Sequence, residues 1–142
     1  MYLLDTNVIS ESRKGSKANV GVQTFFQDAA ACNHQLYISV ITLGELRRGL
    51  ERIRYRGDQP QADLLESWLQ TTQQQYSERI LDFTAIESEV WGYLRVPHSQ
   101  NAIDKQLAAT ALTHGLVLVT RNTRDFEETG VTLLNPFENI NS

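Results

Sequence analysis

Five oxygen-bearing side chains stand at the ends of apolar runs, where chemistry is often placed. Asp5 directly follows Tyr2-Leu3-Leu4, and Glu45 lies just beyond Leu36-Tyr37-Ile38-Ser39-Val40. Asp104 opens the small-residue stretch Ala102–His114, and Asn122 and Asp125 follow Leu116-Val117-Leu118-Val119-Thr120. Brought together, such groups would either raise one another's pKa values or recruit a cation. Two carboxylates about 4 Å apart repel by about 4 kcal/mol at an effective dielectric near 20. An all-oxygen set without His or Cys favours Mg²⁺ or Mn²⁺ over zinc. Such an ion can orient and acidify a water for in-line attack on a phosphodiester and stabilise the leaving oxygen. No nucleophilic triad competes, because His34, His98 and His114 fall in expected loop or helix-end positions without a partner motif.

Each acid also has a plainer reading. Asp5 can be a helix N-cap. Glu45, three residues after Thr42, has capping-box spacing, which would make Thr42 the cap and put Glu45 in the first helical turn. Asp104 can be a first-turn acid favoured by the helix dipole, and Asp125 can open a turn anchored by Phe126. None of these readings requires the acids to meet.

The elements that would position them alternate. Strands are expected at Tyr2–Leu4, Leu36–Val40, Arg79–Phe83, Leu116–Thr120 and Val131–Leu134. Helical segments fill the gaps. One follows Asp5 and breaks near Lys14-Gly15-Ser16, and a stronger one covers Val20–Ala31. Leu43, Leu46 and Leu50 mark the next, and after Gly57-Asp58-Gln59-Pro60 another runs to about Tyr76. Thr84 caps a helix that Pro97 ends, and Gly115 stops the one over Ala102–His114. This order predicts an α/β fold with a largely parallel sheet and helices on both faces. Continuous rather than alternating apolar runs fit strands buried on both sides. Ligands of such sheets bind beyond the carboxyl ends of the strands, where all these acids would converge.

The 142 residues, without repeat or linker, are expected to form one domain, 1–142. No apolar run approaches the roughly 20 residues that span a bilayer, and the N-terminus lacks the pattern of a secretory leader. With Cys32 as the sole cysteine, an internal disulfide is impossible; a reducing cytoplasm is the expected location. A net charge of −4 argues against a protein that simply coats nucleic acid. Yet Arg47, Arg48, Arg52, Arg54 and Arg56 face only Glu45 and Glu51 between residues 45 and 56, so this stretch is locally +3. It is either a solvated helix face or a phosphate-contacting rim beside an acidic site.

Four segments then carry a resemblance. Leu4-Asp5-Thr6-Asn7, Thr42-Leu43-Gly44-Glu45-Leu46-Arg47-Arg48-Gly49, Ile103-Asp104-Lys105-Gln106-Leu107-Ala108-Ala109-Thr110-Ala111 and Thr120-Arg121-Asn122-Thr123-Arg124-Asp125-Phe126 resemble, in order and spacing, the signature segments of PIN-domain proteins. Trp91-Gly92 and Asn135-Pro136-Phe137 resemble the VapC- and FitB-like toxins of bacterial type II toxin–antitoxin pairs. The resemblance runs from Met1 to Phe137 and implies a PIN-like three-layer α/β/α sandwich. It implies a Mg²⁺- or Mn²⁺-dependent endoribonuclease acting on RNA. It also implies inhibition by a VapB/FitA-like antitoxin, a homodimer, and promoter DNA bound through the antitoxin. Asp5, Glu45 and Asp104 match the family's metal ligands; Asn122 matches the fourth position, and Asp125 is the acid nearby. Thr6, Asn7 and Thr120 would support them, and Arg47, Arg48 and Arg52 are candidate contacts to phosphate or antitoxin. An amide as fourth ligand would weaken a second ion's site.

Two other acidic-pocket α/β families are excluded by residues. A haloacid-dehalogenase-type enzyme needs a second Asp where Asn7 stands, and a receiver domain needs a Lys after the last strand, where none follows Leu134. The alternative of a different class is a non-catalytic regulator acting on promoter DNA only together with an antitoxin.

Overall fold

The computed structural model describes residues 1–138; residues 139–142, included in the expected domain, lie outside the described residues. β1 (Tyr2–Leu4) leads into α1 (Thr6–Ser12), a 3₁₀ turn at Gly15–Lys17 and α2 (Val20–Ala31). β2 (Leu36–Ser39) is followed by the long pair α3 (Val40–Tyr55) and α4 (Gln59–Gln75), then β3 (Ile80–Leu81) and α5 (Ala85–Leu94). α6 (Ala102–His114) precedes β4 (Val117–Val119), a 3₁₀ helix at Thr123–Thr129, β5 (Leu133–Leu134) and a 3₁₀ turn at Pro136–Glu138.

The five strands form one sheet in the order β3-β2-β1-β4-β5, every pair parallel. Successive strand residues point to opposite faces, and here both faces are covered. Leu4 and Val119 join Val8, Phe25, Leu46, Leu50 and Leu69 in one core under α1–α4. Leu3 and Leu118 join Leu107, Ala108, Ala111 and Phe126 in the other, under α6. The expected three-layer sandwich is therefore the observed one. Ala108, Ala109 and Ala111 are fully buried, so α6 approaches the sheet closely through its small residues. Gly115 ends α6 at φ +66, a left-handed conformation that glycine adopts without steric cost.

The sequence reading misplaces one helix start. Thr42 is not the cap of α3; Ser39 is, its hydroxyl accepting from the Ile41 N–H at 3.0 Å. Val40 is helical rather than the end of β2, and Thr42 is fully buried inside the first turn. Ser39, also a cap-type residue, sits where the strand's last main-chain pairing ends, so it takes the role three residues early. Glu45 therefore lies one turn into α3 and takes no part in a capping box. That device appears instead at Thr84 and Glu87. β3 is two residues rather than five. Among the described residues β2 is its only partner in the sheet; just before it, the Arg79 carbonyl accepts from the Ile38 N–H at 3.0 Å and the Arg79 side chain donates to the Leu36 carbonyl. β4 and β5 are likewise shorter than the apolar runs that contain them.

Candidate active site

β1 lies between β2 and β4, so the chain leaves it in one direction and returns on the other side. At such a switch point the loops diverge and open a crevice at the carboxyl ends of the strands. Asp5 follows β1 and Thr120 follows β4, which places both at the mouth of that crevice.

Asp5 is 5% exposed and each of its oxygens has a partner. Oδ1 accepts from the Thr6 N–H at 2.6 Å and so caps α1. Oδ2 accepts from the Thr120 hydroxyl at 2.8 Å and from the Asn7 side-chain amide at 3.3 Å. The plainer reading of Asp5 as a cap is thus true of one oxygen only. Thr120 in turn accepts from the Asn122 N–H at 3.0 Å, and the Asn7 carbonyl oxygen accepts from the Arg121 N–H at 3.1 Å. Asn7 therefore ties the segment after β1 to the segment after β4. Burial raises the pKa of Asp5; the bonds from Thr120, Thr6 and Asn7 oppose that, and the nearby charge of Asp125 adds to it.

Asp104 lies in the first turn of α6, half-buried. Its pKa is pushed up to about 6, first by burial and then by the negative charges of Asp5, Asp125 and Glu45. The four acids named from sequence thus share one electrostatic environment at the carboxyl edge of the sheet. Asp125 is exposed, and its charge acts on both Asp5 and Asp104. The Asn122 side chain is exposed, and its backbone N–H rather than its amide enters the network. Among the described residues no three His, Cys, Asp or Glu side chains stand close enough to hold a metal ion as they are placed.

Two supports of this edge escaped the sequence reading. Lys105, 5% exposed, donates its ammonium to the His98 carbonyl, and the Trp91 indole N–H donates to the Ala102 carbonyl at 2.9 Å. Together they pin the connection that delivers Asp104. A lysine beside a candidate ligand reads as surface in a sequence, and only its burial reveals the tether. A cleft of about 240 Å³ opens beside Glu45, with Thr6, Ser10 and Arg13 at its polar end and Leu46, Leu50 and Trp68 along its wall.

The arginine-rich stretch divides in two. Arg47 grips Glu66 of α4 with two bonds of 2.7 and 2.9 Å and also bonds Glu51 at 3.0 Å. Arg54 bonds Glu51 and Glu66 as well. Arg47 is thereby committed to the α3–α4 pair instead of facing a ligand. Arg48 and Arg52 are exposed and form no ion pair among the described residues.

Residues 2–131 match the sequence profile of the PIN domain. Toxin FitB of Neisseria gonorrhoeae is 33% identical over 143 residues, covering 96% of this chain and 99% of that protein. Plasmid stability protein StbB of Pseudomonas syringae pv. tomato is 32% identical over 143 residues, covering 97% and 99%. VapC ribonuclease Y4jK of Sinorhizobium fredii is 30% identical over 149 residues, again covering 97% and 99%. Among solved structures, FitAcB from Neisseria gonorrhoeae superposes with a TM-score of 0.84 at 29% identity, covering 97% of this chain and 99% of the other. The chain therefore belongs to the PIN-domain family of nucleases, in the company of the VapC- and FitB-like toxins.

Proposed function

We propose that this chain is the toxin of a type II toxin–antitoxin pair and a Mg²⁺- or Mn²⁺-dependent endoribonuclease. One observation carries the reading: the pKa of Asp104 is pushed up to about 6 by burial and by the charges of Asp5, Asp125 and Glu45, with no basic side chain among the causes acting on it. Such an excess of hard oxygen donors fits a small divalent cation. Asp5, Glu45 and Asp104 would hold it, and Asp125 would complete the acidic set; Asn122 is the other candidate for the fourth place. When bound, the ion would acidify and orient water and offset charge on the scissile phosphate.

The chain's own residues do the rest. Thr6, Asn7 and Thr120 fix both oxygens of Asp5, so that carboxylate is oriented before any ligand arrives. Asp104 must give up its proton to accept a cation, so loading strengthens as pH rises through about 6. The cleft beside Glu45 offers an inhibitory antitoxin segment apolar surface next to the acids.

Relatives support the partners. One similar protein is named a VapC ribonuclease, and a solved FitAB complex, 27% identical with a TM-score of 0.79, is described as bound to a DNA fragment. On that basis we assign this chain a cognate antitoxin and DNA contacted through it; that the DNA is the promoter, the homodimeric state and the cytoplasmic location are carried over from the family resemblance. No described helix is long and apolar enough to cross a membrane. The DNA-bound complex equally favours a purely regulatory reading, in which the toxin-like chain cleaves nothing.

The test is digestion of total RNA with Mn²⁺ or Mg²⁺ present or chelated, with the cut ends mapped. Cleavage should require the ion and disappear in Asp5→Asn, while that variant still binds its antitoxin. Cleavage that survives Asp5→Asn would overturn the catalytic reading, and no cleavage by the wild type would favour the regulatory one.

A further inference from the structure

Beyond Glu45, α3 carries a row of arginines with no structural employment. At about 100° per residue, Glu45, Arg48, Arg52 and Arg56 fall within a sector of roughly 80° on one helix face. Arg47 and Arg54 point elsewhere, into the ion pairs with Glu66. Arg48, Arg52 and Arg56 are exposed and make no ion pair or side-chain hydrogen bond among the described residues. Like charges four residues apart destabilise a helix. The helix dipole offsets this only near the last turn, which leaves Arg48, in the middle of α3, with Glu45 and Glu51 three residues to either side and an ion pair to neither among the described residues. Tyr55 lies in the same row and is 93% exposed, unusual for an aromatic ring without a partner. The four side chains, with Glu51 beside them held by Arg47 and Arg54, line one shallow groove of about 380 Å³.

Charge and spacing identify what fits. Consecutive arginines in the row are about 6 Å apart along the helix, comparable to successive phosphates on a nucleic acid strand. An exposed ring among cations is the arrangement that binds single strands, the backbone held by charge and a base stacked on the ring. The row starts one turn from Glu45, so a strand lying on it runs to the carboxylate edge.

We infer that Arg48, Arg52 and Arg56 with Tyr55 form a track for single-stranded RNA leading to the acidic site. The inference rests on the ribonuclease reading and deepens it by naming the substrate as unpaired RNA held several nucleotides away from the cut. Arg47 and Arg54, despite their place in the same run, take no part.

The test is fluorescence anisotropy of the full chain with a labelled 20-nucleotide single-stranded RNA in EDTA, titrated with salt. The triple variant Arg48→Gln/Arg52→Gln/Arg56→Gln should reduce the slope of log affinity against log salt by about 2, at roughly 0.7 per lost phosphate contact. Arg48→Gln or Arg52→Gln alone should each remove about 0.7, which keeps the test valid if the triple variant folds poorly. Tyr55→Ala should weaken binding by about fivefold or more without changing the slope. Arg54→Gln should leave the slope unchanged. A wild-type slope in the arginine variants, or no binding by the wild type, overturns the track. So does loss of oligoglutamate binding in the triple variant with RNA binding intact, which would mark the row as a site for an acidic protein. Cleavage with Mn²⁺ is read separately: its absence sinks the ribonuclease reading, and the binding slopes still judge the track.

Discussion

Two groups of acids in this molecule are handled in opposite ways. Between α3 and α4, Glu51 and Glu66 are met by Arg47 and Arg54; the bonds from Arg47 first, then Arg54 and Gln70, hold Glu66 down to about 2. At the carboxyl edge of the sheet, the charges of Asp5, Asp125 and Glu45 act on Asp104, which burial first and then these charges raise to about 6. The same chain thus supplies guanidinium groups to one set and withholds them from the other. Where acids serve as struts, the neutralising charge is built in. Where they await a ligand, it must come from outside.

That contrast can be broken most severely at Asp5. Asp5→Asn should lower RNA cleavage by at least about a hundredfold, since losing even an outer-shell partner costs 10–100-fold. Its thermal midpoint should hold, because burial already disfavours the charged form. A midpoint several degrees lower would mean that Asp5 is chiefly a strut. Thr120→Val comes next: without the hydroxyl on Oδ2, metal affinity measured by calorimetric titration should fall by about tenfold.

The third measurement uses the sign of the shift. The folded-state pKa of Asp104, about 6, lies above its ordinary 3.8. Its contribution to stability is therefore full below about pH 4 and is lost as pH rises through about 6. Asp104→Asn in metal-free buffer at pH 7.5 should raise the thermal midpoint by roughly 3 °C and flatten its pH dependence over that window. Added Mn²⁺ should raise the wild-type midpoint more at pH 7.5 than at pH 5. The smallest effect belongs to the strut. Glu66→Gln should lower the midpoint by about one or two degrees, and less in high salt, with cleavage unchanged, because partly exposed ion pairs contribute little. With its pKa below the ordinary value, Glu66 stabilises above about pH 4.5, and that contribution fades as pH falls toward 2.

How much of this was legible beforehand follows from the range of each interaction. The bounds of α2 and α6, the alternation of strands and helices, and the placing of Asp5 after β1 and Asp104 in the first turn of α6 could all be read, because local periodicity and α/β topology determine them. The start of α3 could not. Ser39 and Thr42 are equally good caps, and the choice depends on where β2 stops pairing with β3, some forty residues away. The roles of Lys105 and Arg47 were also hidden. Each looks like surface charge until a neighbouring segment supplies the His98 carbonyl or Glu66.

The sheet order has a consequence in time. β1 is made first, yet it lies at the centre of the sheet, flanked by β2 and by β4 near the other end of the chain. The hydroxyl that fixes Asp5 comes from Thr120, 115 residues later. Contacts of such separation are slow to form, because a long loop must close before they repay its entropy. Until Thr120 is made, Asp5 has the Thr6 N–H and the Asn7 amide as partners but lacks the hydroxyl that holds Oδ2. A shortened product ending before β4 would lack that hydroxyl and one of the two strands that flank β1. The full set of partners that orients Asp5 therefore comes into being only with the last fifth of the polypeptide.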